Sequence, residues 1–416
     1  MEGNKHREWM SAPNLDFYHR KVRIGISGFG RIGRFALRYA LTCPNVEIAA
    51  INNRNMERSY FHYLFTHDSV HGPPYGFTCS LSCPCGETDC NCSGNNSADH
   101  NLIWFNDKPV YLFTAGVASE IPWEVAKVDV VLECTGAYLT VESCMQHMSR
   151  PNTTVKKVVI SAPSKEKTCP TFVYGVNHKK INAGNHVQYP VISNASCTTN
   201  CLAPLAKVIH DNFGIKQALM STIHAVTATQ PVTDSVMKKR DWRSGRACLS
   251  NIIPASTGAA SALTLVIPDL AGRITGTSWR VPVQDVSVVD LVVETEKDTS
   301  YAEICATIKR ACESPDEFRG IMAYRDDFCV SSDFLTTTTI SNFDSKSGIE
   351  LHSRFFKLVS WYDNECGYSA KLVDMAAYLG SFVVMDEWTA MEKTKGRGRT
   401  SSVLGRDVED ITGSHK

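Results

Sequence analysis

The chain has no uninterrupted apolar run near the about 18 residues a membrane-spanning helix needs; its longest apolar stretches are strand-like, such as Val286–Val293. No membrane contact is expected. It has no excess of one charge either: Lys plus Arg and Asp plus Glu are 43 each, so no chain-wide field argues for nucleic acid or an anionic bilayer. The polar opening stretch Met1–Arg20 lacks the apolar core of a secretory signal. No internal repeat is evident. These absences favour a cytoplasmic, globular protein, and 416 residues suggest more than one domain. Sixteen cysteines are many for a reducing compartment, and are read first as free thiols, metal ligands or catalytic groups.

What is present alternates. From Lys21, apolar strands at Val22–Ile26, Val46–Ile51, Val128–Leu132 and Val155–Ile160 are separated by helical patterns such as Ile32–Leu41. That rhythm predicts an α/β fold with a Rossmann-type doubly wound parallel sheet. Composition shifts near Asn194, after which a helix at Cys197–Asn212 and β-rich runs around Arg280–Glu294 predict an α+β domain with a mixed sheet. The expected organisation is an extension over 1–20, a dinucleotide-binding domain over 21–193 completed by a helix over 366–385, a catalytic domain over 194–365, and a disordered tail over 386–416. The stretch 79–100, rich in Cys, Ser, Asn and Gly, reads as a surface insertion. Its pairs Cys83/Cys85 and Cys90/Cys92 offer four thiolates, but the spacing is not Cys-x-x-Cys. A thiol-rich loop is expected rather than a metal site.

Gly28-Phe-Gly30-Arg-Ile-Gly33 follows the first strand and opens the first helix, so it predicts a turn on which a dinucleotide pyrophosphate rests. An acidic residue is expected about 20 residues on, to hold the ribose of NAD. Asn53 stands there, followed by Arg54, which leaves NAD as the expected cofactor and NADP possible. Cys197, at the start of an apolar helix, is a candidate nucleophile whose thiolate the helix terminus would favour; His224, after a strand-like run, is its candidate base.

These residues, with Ser193–Cys201 running on to Phe213-Gly214, Ile252–Ala260, Arg280-Val-Pro282 and Trp361–Glu365, resemble glyceraldehyde-3-phosphate dehydrogenase over roughly 21–385. The resemblance implies a homotetramer that oxidises and phosphorylates D-glyceraldehyde 3-phosphate with inorganic phosphate, through a Cys197 hemithioacetal and thioester. It implies that Ser196, Thr198, Thr257 and Gly258 cradle the attacking phosphate, and that Thr227 and Arg280 hold the substrate phosphate, with Arg243 and Arg246 assisting. It places Arg31 and Ile32 along the pyrophosphate, Ser161 near the nicotinamide, Asn364 on the carboxamide and Tyr368 beside the ring. Departures from the family pattern, namely Asn53, Ala115–Ala118, Ser261, Cys366 and Ala370, imply altered cofactor affinity. Two alternatives stand beside this reading: a dehydrogenase of another phosphorylated aldehyde, such as erythrose 4-phosphate, and a catalytically weakened scaffold touching RNA or cytoskeleton through the basic run Lys393–Arg399.

Overall fold

A computed structural model describes residues 20–81, 101–237 and 241–395. Two eight-stranded sheets form its framework. The first is built from β1 (Val22–Ser27), β2 (Val46–Asn52), β3 (Cys79–Ser80), β4 (Leu102–Phe105), β5 (Lys108–Phe113), β6 (Val130–Glu133), β7 (Lys157–Ile160) and β8 (Val191–Ser193), in the order β3-β4-β5-β2-β1-β6-β7-β8. From β5 to β8 every pairing is parallel; β4 and β3 add an antiparallel edge. The central strands are apolar and buried on both faces, as a sheet covered on both sides requires. Both expected strands at 128 and 155 begin two residues later than their apolar runs, because Asp129 and Lys156 act as edge connections: the Asp129 carbonyl takes the Lys156 N–H.

Helix α1 (Arg31–Ala40) follows β1 directly, and α2 (Arg58–Thr66) and the short α3 (Val141–Met145) follow later. α4 (Cys197–Phe213) leads into the second sheet, whose strands are β9 (Ile215–His224), β10 (Ile253–Ser256), β11 (Ile274–Arg280), β12 (Ser287–Thr295), β13 (Met322–Arg325), β14 (Ser341–Asp344), β15 (Ile349–His352) and β16 (Phe355–Tyr362). Their order is β10-β11-β9-β12-β16-β14-β13, with β15 on β16, and both parallel and antiparallel pairs occur, so the sheet is mixed as expected. α4, α5 (Ala259–Val266) and α6 (Tyr301–Glu313) cover it.

The last helix, α7 (Cys366–Lys395), returns from β16 to the first sheet and packs on α1, β1, β6 and β7. It runs past the expected end at 385, so residues 386–395 are helix rather than disordered tail. Two contacts give the reason: Asp386 meets the His186 ring at 3.2 Å, and Arg20 joins Glu387 to the buried Asp129. Gly380 sits where α7 crosses the sheet; a Cβ there would lie 2.2 Å from Val22. The cysteines at 83, 85, 90 and 92, and the basic residues beyond 395, lie outside the described residues, so the thiol-loop reading rests on the sequence alone.

Candidate active site

Two places carry the chemistry, one at the carboxyl ends of the first sheet and one between the two sheets. At the first, β2 and β6 flank β1 on opposite sides, so the connections leave it in opposite directions, and a cleft of about 320 Å³ lies at the carboxyl ends of these strands. Such a switch point is where open α/β sheets bind nucleotides. Ser27, Gly28, Gly30, Asn53, Arg54 and Thr135 are among its lining residues. Gly28 has φ +96°, and a Cβ on it would come within 2.8 Å of the Cys134–Thr135 backbone. A Cβ on Gly33 would lie 2.0 Å from the Gly28 carbonyl oxygen, so its absence lets α1 start tight against the turn. Gly30 caps α1 with open space around it, as an approaching phosphate needs. These features fit a dinucleotide.

Asn53 accepts the Phe29 N–H on Oδ1 at 2.9 Å, which leaves its amide nitrogen as the group it can offer a ligand. No carboxylate lines this cleft among the described residues. The Arg31 guanidinium does not follow the expected pyrophosphate line: Glu365 and Asp68 take it, so only the start of its helix faces the turn. Ile32 passes its carbonyl to the Ser369 hydroxyl of α7, and Ser161 follows the end of β7, its N–H on the Glu133 carbonyl. Thr135, Cys134 and Tyr138 were not expected here, although a Thr-Gly pair just after a central strand was a usable signal.

The second place is built by one turn and one strand pair. After β8, Ala195 takes a left-handed φ of 54°, Ser196 caps α4 by accepting the Thr199 N–H at 3.1 Å, and Cys197 becomes the first helical residue. His224 ends β9, whose parallel pairing with β11 sets Arg280 directly beside it. The Cys197 Sγ lies 3.5 Å from the His224 Nε2, and the Arg280 Nη1 lies 2.5 Å from the His224 Nδ1. Nδ1 also faces the Ala225 carbonyl at 2.8 Å. A neutral ring has one N–H. With it on Nδ1, donated to Ala225, the Nε2 lone pair faces the thiol and Arg280 turns to that same carbonyl at 3.1 Å; with it on Nε2, Nδ1 accepts from Arg280 at 2.5 Å. Thr198 joins through its hydroxyl, 2.8 Å from Tyr362, which also meets Thr222.

Burial sets the protonation of the free site. It pushes the Cys197 thiol up, against bonds to Thr198 and the field of Arg280, so the helix start alone does not make the expected thiolate. Burial, then the Arg280 charge, brings His224 down to about 4. Both shifts favour the uncharged forms of the pair in the free site, and an anion on Arg280 relieves its part of the shift at His224.

The other expected residues spread around this pair. Thr227 lies past the end of β9, its N–H on the Gln230 side chain. Thr257 accepts the Ala259 N–H, and Gly258 caps α5. β10 pairs Ile253 with Arg280 but Ser256 with Thr277, so Thr257 and Gly258 fall beyond the far end of that pairing, separated along β11 from Arg280. Arg243 and Arg246 pair instead with Asp241 and Asp234 at the surface. Asn364 is buried and accepts the Ser287 hydroxyl at 2.6 Å, and Tyr368 donates to the Ala195 carbonyl beneath the cysteine turn.

Residues 22–82 match the family model described as the glyceraldehyde 3-phosphate dehydrogenase NAD binding domain, and residues 196–364 the model of its C-terminal domain. The first match ends at residue 82, inside the cysteine-rich stretch 79–100. The chain is 48% identical over 360 residues to glyceraldehyde-3-phosphate dehydrogenase 1 of Giardia intestinalis, covering 86% of this chain and 98% of that protein. It is 46% identical over 359 residues to the cytosolic glyceraldehyde-3-phosphate dehydrogenase of Pisum sativum, with the same coverage of both. No helix among the described residues is long and apolar enough to cross a membrane. A nucleotide turn, a cysteine–histidine pair and this breadth of likeness converge: the chain belongs to the glyceraldehyde-3-phosphate dehydrogenase family, oxidoreductases of glycolysis that use NAD.

Proposed function

We propose that Cys197 and His224 carry the oxidative phosphorylation of D-glyceraldehyde 3-phosphate to 1,3-bisphosphoglycerate. The observation that carries this is the 3.5 Å approach of the Cys197 Sγ to the His224 Nε2, at a helix start and beside Arg280. Cys197 adds to the aldehyde carbon, forming a carbon–sulfur bond as the carbonyl π bond opens, and the thiol proton passes by way of His224 to the new oxygen, which gives the hemithioacetal hydroxyl and leaves the ring neutral. NAD, when bound, accepts the hydride from that carbon. His224 takes the hydroxyl proton of the hemithioacetal, and the product is a thioester on Cys197. Inorganic phosphate attacks the thioester carbonyl, the carbon–sulfur bond breaks, and the proton held by His224 passes to the departing sulfur, which restores the thiol and the neutral imidazole.

Arg280 and Thr227 hold the phosphate of the aldehyde, while Ser196, Thr198, Thr257 and Gly258 hold the attacking phosphate. Their separation along β11 supports two anion positions. Gly28, Gly30, Gly33, Arg31, Ile32 and Asn53 form the nucleotide side, with Ser161 and Asn364 toward the nicotinamide. The amide at Asn53, with Arg54 in the same cleft, supports tolerance of NADP, since nothing there repels a 2′-phosphate. Exposed Val232, Val236, Trp242, Ile252 and Trp279, on adjoining segments around β10, support assembly into a homotetramer. A cytoplasmic location is supported by the relatives named cytosolic.

The test is steady-state reduction of NAD and of NADP with glyceraldehyde 3-phosphate and phosphate, beside Cys197→Ser. Turnover lost in the variant, with NADP reduced at a measurable fraction of the NAD rate, is expected. A folded wild-type protein without turnover would overturn the proposal, and strict NAD use would overturn the NADP part alone.

A further inference from the structure

His71 lies in the loop between α2 and β3, on the nucleotide side of the molecule, yet its ring is buried among carboxylates from the other side. Its Nε2 stands 2.9 Å from Asp285 and 3.0 Å from Asp363. Its Nδ1 faces Asp68 and Glu365 at 3.6 and 3.8 Å, and the Phe35 ring covers it. The three ligand-type atoms of His71, Asp285 and Asp363 lie within 4.8 Å of one another. The imidazolium is itself the cation that joins them. Burial would discharge it, but the ion-pair contact with Asp285 and the hydrogen bond to Asp363 outweigh that and raise it to about 10; the Asp285 oxygens have no hydrogen-bond partner among the described residues, so His71 holds that carboxylate by charge.

Each of the two aspartates adjoins a residue of the nicotinamide side. Asp363 precedes Asn364. Asp285 precedes Val286, which is held at φ +69°, a costly conformation for a β-branched residue. Next comes Ser287, which accepts the Ala225 N–H at 3.0 Å and donates to Asn364 Oδ1. The strained turn needs an anchor on its far side, and the Asp285 carboxylate is buried with no exposed surface.

We propose that His71 is a positioning residue for cofactor use: gripping Asp285 and Asp363 together, it fixes Ser287 against Asn364 and so presents the Asn364 amide to the nicotinamide carboxamide. This rests on the reading of Asn364 given above. The arrangement also makes presentation depend on the two parts of the molecule being docked, because the grip crosses between them.

The test compares NAD with ADP-ribose, which lacks the nicotinamide. For the wild type, NAD is expected to bind more tightly than ADP-ribose. His71→Ala is expected to weaken NAD about tenfold, as for one or two lost hydrogen bonds, and to leave ADP-ribose unchanged. His71→Gln, whose amide still donates to Asp363, is expected to restore part of the difference. Asn364→Ala is expected to remove it. If Asn364→Ala removes the difference and a folded His71→Ala keeps it, the inference fails while the Asn364 reading stands. If neither variant changes it, both fail. Should His71→Ala not fold, Asp285→Leu, which keeps the volume but can neither accept from nor pair with His71, carries the same comparison, and an undiminished preference for NAD in it overturns the inference.

Discussion

The chemistry at Cys197 depends on atoms contributed by four short pieces of chain. His224→Asn keeps the ring's approximate size but removes the Nε2 base, and is expected to lower kcat by about 10²–10⁴-fold with the KM for the aldehyde little changed, measured by initial rates. A larger effect on KM than on kcat would assign His224 to binding. Ser196→Ala removes the cap on Thr199 and is expected to cost about 1 kcal/mol, read from the midpoint of urea unfolding. The Cys197–His224 pair was legible as a candidate because each stands at an element boundary that the sequence marks, Ser196 before an apolar helical run and His224 after a strand, and because the family resemblance singles both out. Their protonation was not legible. A helix start argues for thiolate, whereas the burial that overrides it comes from segments distant in sequence. Nor were the partners of the Arg31 side chain legible: the resemblance places the residue along the pyrophosphate, while its guanidinium is held by Glu365 and Asp68.

At the level of elements, the β1–turn–α1 unit is the most tightly specified. Gly33→Ala forces either the Gly28 carbonyl or the whole first turn of α1 to move, since 2.0 Å is no contact a carbon can make. A shift of about 1 Å near a reacting centre is worth about 10²-fold, so kcat/KM for NAD is expected to fall by that order while the far-UV circular dichroism stays unchanged. Wild-type kinetics in this variant would show that the turn has slack. This unit was read from the sequence to within a residue, because glycine spacing and strand pattern are local. α7 was read short. Its first turns carry the helical spacing of Leu372, Val373, Met375, Ala376 and Leu379, but its continuation depends on Arg20 and His186, remote partners that no periodicity reveals. Thr135 was missed for a similar reason: it lines the cleft only because β6 pairs with β1 rather than with β5.

For the whole molecule, the His71 cluster couples docking of the two parts to pH. Arg31 from α1, Asp68 from the same loop, Asp285, Asp363 and Glu365 face it, with Arg34 and Arg38 close to Asp68. The folded value for His71 is raised from 6.5 to about 10, so its contribution is complete below 6.5 and is lost as pH climbs through 10. Asp285, raised by burial from 3.8 to about 7, acts in the same sense at lower pH: its contribution fades as pH rises through 7. Asp68 is opposite, held below the carboxylate range by Arg31 and backbone N–H groups despite its burial, so its contribution is lost in acid. The melting temperature is expected to decline between pH 6.5 and 10, and to decline less in His71→Gln; parallel curves for the two proteins would refute the assignment. None of this cluster was visible in the sequence, where His71, Asp285 and Asp363 belong to three separate segments with no motif in common.

The clasp of Arg20 on Glu387 has one more meaning. It brings the first described residue against the final helix, so the backbone between Arg20 and Glu387 is nearly a closed ring fastened by an ion pair. A covalent linker across that fastening, with a new opening cut in an exposed turn elsewhere, would produce a circular permutant in which every strand keeps its present neighbours.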